Sequence, residues 1–203
     1  METNWAEEHL HTIRTLMERS AVYRRALAPI MLFVGALGII GSLASSFLHL
    51  NSIRSFATMW LVTAVVTVGG AVVIARRQAF KESEPFWSPP TRRIAQAMAP
   101  PLTVGLVLGT FFAFENAPNL FGPLVFIWAF LYGCAAHAAG FFISRGIRLF
   151  GWVFIILAAA LAFFHEHSGM LINPSALMGF LFGGLHLAYG IYLYVTEKGK
   201  NAA

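Results

Sequence analysis

Two histidines lie inside long apolar stretches of this chain, where few other side chains have any chemistry to offer. They are His137 and His186. A polar side chain in hydrocarbon costs free energy unless a partner satisfies it, so an ionisable residue at such a depth marks a candidate functional site. Tyr132 and Tyr189 supply phenolic hydroxyls a few residues away. We therefore predict that these four residues, His186, His137, Tyr189 and Tyr132, bind a ligand.

Three interpretations of the two histidines stay open. In the first, each neutral imidazole hydrogen-bonds to a hydroxyl, a carbonyl or a water between helices, with Tyr132, Tyr189 or Tyr192 as partner. In the second, they bind a ligand or carry a proton in a central cavity, because imidazole titrates near physiological pH. In the third, the two imidazoles ligate a haem or a metal ion, with Cys134 on the same helix face as His137.

A second group of polar residues stands at the ends of apolar stretches, away from most of the positive charge. Three imidazoles and two carboxylates there are weak candidates for holding Zn²⁺ or Cu²⁺: His49, Glu115, His165, Glu166 and His167. Unrelated polar residues of wet loops are the alternative. The chain contains no Asp, which argues against Mg²⁺-dependent phosphoryl transfer. No stretch carries a Ser-His-carboxylate set for hydrolysis, so we predict that the protein is not an enzyme.

Six apolar stretches must position these residues. Each has about the 20 residues that a helix needs to cross the hydrocarbon core of a bilayer, and they run roughly over 27–48, 57–75, 97–114, 120–143, 147–164 and 176–195. Charged residues make up 11% of the chain, against roughly 25% in an ordinary soluble domain. We therefore predict an all-α membrane protein, a six-helix transmembrane bundle over residues 26–196.

Positive charge is spread unevenly around these stretches. Threading the chain through a membrane places Arg54 on one side and the other Lys and Arg residues, of 14 in all, on the opposite side. The positive-inside rule then predicts that both termini, including a tail over 197–203, are cytoplasmic. Such a basic rim attracts anionic lipid headgroups, so the net charge of +5 does not indicate nucleic-acid binding. No cleavable signal peptide precedes Ala26, so we expect the first stretch to act as its own insertion signal. The expected lack of an outer-leaflet domain, together with the inside positive charge, favours a bacterial inner (cytoplasmic) membrane.

Residues 1–25 have the pattern of an amphipathic helix on the cytoplasmic side. Asn4 and Glu7 have capping-box spacing, and an apolar stripe follows them. Such a helix lies along the inner leaflet or packs on a partner protein. The longest connection, over about 76–96, is basic and rich in proline, and we expect a helix to restart near Thr91.

An internal repeat relates the fourth and sixth stretches. The runs Phe130–Gly140 and Phe180–Gly190 both open with Phe-Leu-aromatic-Gly and both close with Gly, and we match the intramembrane His137 and His186 with each other. The two stretches cross in the same direction, which predicts a parallel repeat and a bundle built from helical hairpins. Small residues of the first stretch, between Gly35 and Ser46, suit close helix packing within the chain or in a homo-oligomer.

Taken together, four segments resemble a group of uncharacterised bacterial six-span membrane proteins. The segments are Ile13–Ser20, Phe86–Arg93, the Tyr132–Gly133 region and Gly184–Tyr192. This resemblance covers nearly the whole chain and implies a shared six-helix fold and a bacterial inner-membrane location, without an assigned activity. The residue that it carries over is His186, in its Gly-Leu-His setting.

These observations favour a small, non-enzymatic membrane protein that binds or translocates a ligand, as a transporter does. The ligand would be apolar or weakly polar, and its cavity would lie around the histidines of the fourth and sixth stretches. An alternative is an accessory or sensory protein that acts through its N-terminal helix and basic cytoplasmic loop. A further alternative is a haem- or metal-binding redox protein of the membrane.

Overall fold

Helices account for the regular structure of this protein. A computed structural model describes residues 26–50, 52–114, 121–168 and 173–201, and these residues contain no strand. Six of the described helices are long and apolar enough to cross a membrane. This confirms the all-α class and the multi-pass architecture. The amphipathic helix predicted over 1–25 and the metal candidate Glu115 lie outside the described residues.

The six spans follow one another along the chain with short connections. The first five are α1 (Ala26–Phe47), α2 (Ile53–Lys81), α3 (Pro89–Phe114), α4 (Phe121–Ile143) and α5 (Arg145–Ser168). The sixth span is composite and consists of α6 (Pro174–Met178), a π-helical segment (Gly179–Gly184) and α7 (Leu185–Asn201). It starts at a clear signal, because the Asn173 side chain accepts hydrogen bonds from the Ser175 and Ala176 backbone N–H groups.

Two helices continue well past their apolar stretches. α2 runs on to Lys81 and α3 begins already at Pro89, so the connection between them is limited to residues 82–88. The charged residues there end the apolar pattern without ending the helix, because Arg, Lys, Gln and Ala are good helix formers. The chain turns at Ser83, whose φ of 55° is left-handed, and Pro89 then occupies the first helical position that proline favours.

α4 forms the centre of the bundle. It packs against α3, α5 and α6, and half of its apolar window is buried, compared with 11% for α2. Leu124, Val125, Ala129 and Ala135 of α4 are fully buried. By contrast, valines along α2 are exposed, as is usual for side chains that meet lipid instead of protein: Val62, Val65, Val68 and Val72. The core therefore lies around α4, and α2 forms one edge.

α1 packs on the sixth span through small residues. A Cβ added to Gly38 would lie 2.6 Å from the Gly183 backbone nitrogen, so the two backbones touch at this point. Two α1 serines reach across the same interface: the Ser42 hydroxyl donates to the Ser175 carbonyl at 2.8 Å, and the Ser45 and Ser175 hydroxyls pair at 2.6 Å. Close approach and interhelical hydrogen bonds are what hold helices together where lipid removes the hydrophobic driving force.

A second interface of the same kind joins α4 to α5. A Cβ on Gly133 would meet the Gly151 carbonyl oxygen at 2.9 Å, and one on Gly140 would meet the Arg148 backbone nitrogen at 2.5 Å. Glycines spaced seven residues apart thus bring α4 against α5, and Gly183 and Gly190, with the same spacing, bring the sixth span against α1. These four glycines therefore permit close backbone approach at both interfaces.

Candidate functional site

His186 is a fully buried polar residue at the start of α7, with 0% of its surface exposed. A hydrogen bond of 2.6 Å joins its Nε2 to the hydroxyl of Tyr132 on α4. In one tautomer the phenol O–H donates to Nε2 and the ring carries its proton on Nδ1; in the other, Nε2–H donates to the hydroxyl. The sixth span and α4 are therefore joined by a side-chain hydrogen bond in the bundle interior.

Aromatic rings from α5 and the sixth span close around this pair. Phe150 and Phe154 present their ring edges or faces to the imidazole at centroid distances of 5.1 and 5.5 Å, and Phe182 lies parallel to it at 6.3 Å. We call His186, Tyr132, Phe150, Phe154 and Phe182 the aromatic box. Surroundings as apolar as these strengthen the hydrogen bond inside them and make an unpaired polar group costly.

One nitrogen of the imidazole lacks a partner. Among the described residues, Nδ1 of His186 is buried without a hydrogen bond of standard geometry, although the ring lies beside the backbone carbonyls of Leu181 and Phe182. These two residues belong to the π-helical segment, where the N–H of Leu185 bonds to the Phe180 carbonyl five residues back. Single π turns inside α-helices occur frequently at functional sites.

Tyr189 lies next to the aromatic box instead of inside it. Its ring stacks on Phe150 at 4.9 Å and 19°, and Phe150 in turn faces His186. The Tyr189 hydroxyl lies against Gly146 and pairs with the Ser144 side chain at the α4–α5 turn. Tyr189 is thus one ring removed from the imidazole and reaches the end of the bundle.

His137 faces a different neighbour. Its Nδ1 lies 3.2 Å from the Arg148 carbonyl oxygen of α5 and donates to it, and its ring packs edge-on against Trp152 and Phe141. The ring contacts and hydrogen bonds described for His137 and for His186 have no residue in common. The structure therefore brings together His186 and Tyr132, with Tyr189 one ring away, and places His137 apart from them.

The predicted match of His137 with His186 is wrong by one residue, and this offset explains their separation. When the glycines are aligned, His137 is the eighth residue of its run and His186 the seventh of its own. One residue corresponds to about 100° of rotation about a helix axis, so the two imidazoles point in different directions. His137 thus follows the first interpretation, an imidazole bonded to a carbonyl between helices, and ligation of one haem by both histidines has no support in this arrangement.

The weak metal candidates end up at several helix ends. His49 follows α1 with a φ of 47°, and His165 packs against Phe126 at 5.7 Å. His167 stacks on Phe163 at 4.1 Å, and its Nδ1–H donates to the Phe163 carbonyl. Within the described part of the chain, no three His, Cys, Asp or Glu side chains form a group that could hold a metal ion.

Sequence reasoning named the polar members of the site and missed its aromatic members. Phe150 and Phe154 stand four residues apart on α5, a spacing that puts both rings on one helix face. That spacing was the available signal, but phenylalanine is so frequent in this chain, with 19 residues, that it does not stand out.

No protein-family model matches the chain, and comparison with curated proteins and with solved structures finds no match either.

Proposed function

We propose that this is a non-enzymatic membrane protein that binds or moves a small, apolar or weakly polar ligand at the aromatic box. The observation that carries the proposal is the buried imidazole of His186, bonded through Nε2 to Tyr132, with no hydrogen bond of standard geometry to Nδ1 among the described residues. A molecule with one hydrogen-bonding group and an apolar body would satisfy Nδ1 and pack among the rings. Polar groups buried within membrane spans are costly and mark ligand or ion pathways.

Entry of the ligand requires one ring of the box to move. Phe150 and Phe154 are buried, whereas Phe182 is half-buried at the helix surface. Phe182 also belongs to the π-helical segment, next to Gly184, around which the nearest atoms lie 3.9 Å from an added Cβ. Rotation of the Phe182 side chain would open the box towards the bundle surface, so we assign the gate to this residue.

The same proposal includes an orientation. The basic residues at the end of α2 and the start of α3 are exposed: Arg76, Arg77, Lys81, Arg92 and Arg93. Trp87 of the intervening turn is 62% exposed, which suits the headgroup region that tryptophan prefers. We place this end of the bundle at the cytoplasmic side of a bacterial inner membrane, beside anionic headgroups. Both termini then lie in the cytoplasm. The predicted parallel repeat and helical-hairpin plan belong to this proposal.

Substitution of His186 tests the function directly. The protein would be purified in a mild detergent and extracted with methanol, and the extract profiled by mass spectrometry. We expect a compound that co-purifies with the wild type to be lost from His186→Ala and retained by His137→Ala. His137 is the matched control, because it is also an intramembrane imidazole but lies outside the box. A compound retained equally by both variants would refute the proposal.

A second candidate function is an accessory or sensory role at the cytoplasmic face. It is favoured by the turn over 82–88, which combines Phe86 and Trp87 with exposed arginines on both flanking helices. In that case a partner binds the basic end of the bundle. Deletion of residues 1–24 should then abolish co-purification of that partner, and so should the double substitution Arg76→Gln and Arg77→Gln. His186→Ala would leave the partner bound, which separates this function from the first.

A further inference from the structure

An apolar groove runs along the edge of the bundle between α2 and α3. It has a volume of about 370 Å³ and is lined by Thr58, Leu61, Val62, Val65, Val66, Thr110, Ala113 and Phe114. The α2 members follow the spacing i, i+3, i+4, i+7 and i+8, so they share one helix face. This groove lies on the most exposed pair of spans and is separate from the aromatic box.

A cation stands at one end of the groove. Arg54 precedes Thr58 by four residues and therefore lies one helical turn beyond it on the same face of α2. The Arg54 Nε–H donates to the Ala113 carbonyl at 3.1 Å, and Ala113 is itself a groove residue. This bond holds the guanidinium at the end of the groove. It also gives a partner to a backbone carbonyl in the last turn of α3, where the helix dipole favours a cation.

The guanidinium retains donors for a further ligand. Arginine has five N–H donors in a planar fork. Among the described residues, Arg54 uses one of these donors, the Nε–H, in its hydrogen bond to the Ala113 carbonyl. The side chain is exposed, so its two terminal amino groups are accessible to a ligand. A planar pair of N–H groups matches the oxygens of a phosphate and binds them in bidentate fashion.

The dimensions of the groove suit a lipid. From Thr58 to Val66 the α2 wall extends about 12 Å at 1.5 Å per residue, and one leaflet of hydrocarbon is about 15 Å deep. The Arg54 cation is complementary to the phosphate of a phospholipid, and the apolar groove beside it is complementary to an acyl chain. The basic rim lies at the other end of α2 and α3, so it does not contribute to this site.

We propose that Arg54 and the α2–α3 groove form a binding site for a phospholipid, with the phosphate on Arg54 and an acyl chain along the groove. The site lies in the leaflet opposite to the one that meets the turn over 82–88 and the basic helix ends that flank it. It discriminates by the phosphate, because the groove walls are as apolar as the surrounding lipid and alone select nothing. It does not depend on the function assigned to the aromatic box.

Photo-crosslinking in vesicles tests the site. The protein would be reconstituted in digalactosyldiacylglycerol, a bilayer-forming lipid without phosphate, containing a few per cent of phosphatidylglycerol with a diazirine in its acyl chain. After illumination, labelled peptides are mapped by mass spectrometry. We expect labelling of the groove residues Leu61, Val62 and Val65 to exceed labelling of Ile156, an exposed residue of α5, and to fall about five-fold in Arg54→Gln. Arg76→Gln, at the opposite end of α2, is the matched control and should leave the labelling unchanged.

Two further probes separate the phosphate from the groove. Photoreactive diacylglycerol, which has the same chains without phosphate, should label the groove and Ile156 alike. Val65→Phe fills the channel without touching the cation and should reduce groove labelling by phosphatidylglycerol, which decides the matter even if Arg54→Gln fails to fold. The proposal is overturned if Arg54→Gln or Val65→Phe is labelled like the wild type, or if diacylglycerol prefers the groove as strongly as phosphatidylglycerol does.

Discussion

Replacement of Gly38 by alanine should weaken the packing of α1 on the sixth span. The three atoms nearest to a Cβ at this position are all backbone atoms of Phe182 and Gly183, at 2.6 to 2.7 Å. Carbon atoms make their best contacts at about 3.5–4.0 Å. Because a backbone cannot turn aside as a side chain can, the two helices have to separate by about 1 Å to admit the methyl group.

The expected loss of stability is the cost of overpacking less the gain in helix propensity. Forcing a methyl group into a packed interface costs about 1–3 kcal/mol, and glycine to alanine within a helix returns up to about 1 kcal/mol. Gly69→Ala on α2 is the matched control, since an added Cβ there meets nothing within 4 Å. It shares the propensity gain without the clash, so the difference between the variants should be about 1–3 kcal/mol.

Unfolding in mixed micelles provides the measurement. Dodecyl maltoside micelles with rising fractions of sodium dodecyl sulfate unfold helical membrane proteins, and circular dichroism follows the loss of helix. We expect Gly38→Ala to unfold at a lower fraction than the wild type and Gly69→Ala at an equal or higher one. The neighbouring pair repeats the contrast within the π-helical segment: Gly183→Ala meets Ile39 at 2.7 Å, whereas Gly184→Ala has no atom nearer than 3.9 Å. Equal midpoints for Gly38→Ala and Gly69→Ala would refute the close approach of these helices.

Other consequences concern hydrogen bonds and lipid exposure. Tyr132→Phe leaves His186 without its Nε2 partner and should destabilise the protein by about 1–3 kcal/mol; combined with His186→Leu, the cost should shrink in a double-mutant cycle, and strict additivity would contradict the bond. Ser175→Ala removes the partner of the buried Ser45 hydroxyl and should cost about 0.6–1.7 kcal/mol, whereas Ser46→Ala, whose hydroxyl bonds only within α1, should be neutral in the same unfolding assay. Cys134 is exposed on α4, so a charged maleimide should fail to label it from both sides of the membrane, because hydrocarbon excludes a charged reagent, and should label it once the protein is unfolded in sodium dodecyl sulfate; labelling of the folded protein by the charged reagent would mean that water reaches this face.

The helices were predictable where the sequence changes polarity at their ends. The first apolar stretch was predicted to end at residue 48 and α1 ends at Phe47, because the polar residues that follow stop both the apolar run and the helix. α2 was underestimated, since Arg76 and Arg77 end its apolar run while the hydrogen-bonded ladder continues to Lys81. The hydropathy pattern marks where the apolar, lipid-facing part of a span ends. The helix itself ends where its backbone hydrogen bonds end, which is several residues later in α2.

The site was predictable in its members but not in its pairing. Tyr132 and His186 stood out because polar groups are rare within the spans, yet the partner of each histidine depends on how the helices rotate about their own axes. That rotation is set by which glycines allow close approach, such as Gly133 towards α5 and Gly183 towards α1. No local pattern names the neighbour that each helix face meets, although the one-residue offset between His137 and His186 relative to the glycines already indicates different directions for the two rings.

The π-helical segment also makes this chain tolerant of a kind of mutation that usually destroys a membrane helix. Loss of one residue from an α-helical span turns everything after it by about 100° and moves every later side chain to the wrong neighbour. The hydrogen bond from the Leu185 N–H to the Phe180 carbonyl spans five residues instead of the four of an α-helix, so a deletion of Gly184 would let the turn tighten to α-helical geometry. His186 and Gly190 would then keep their facing towards Tyr132 and α1. At this point of the chain, length can change by one residue without a change of register.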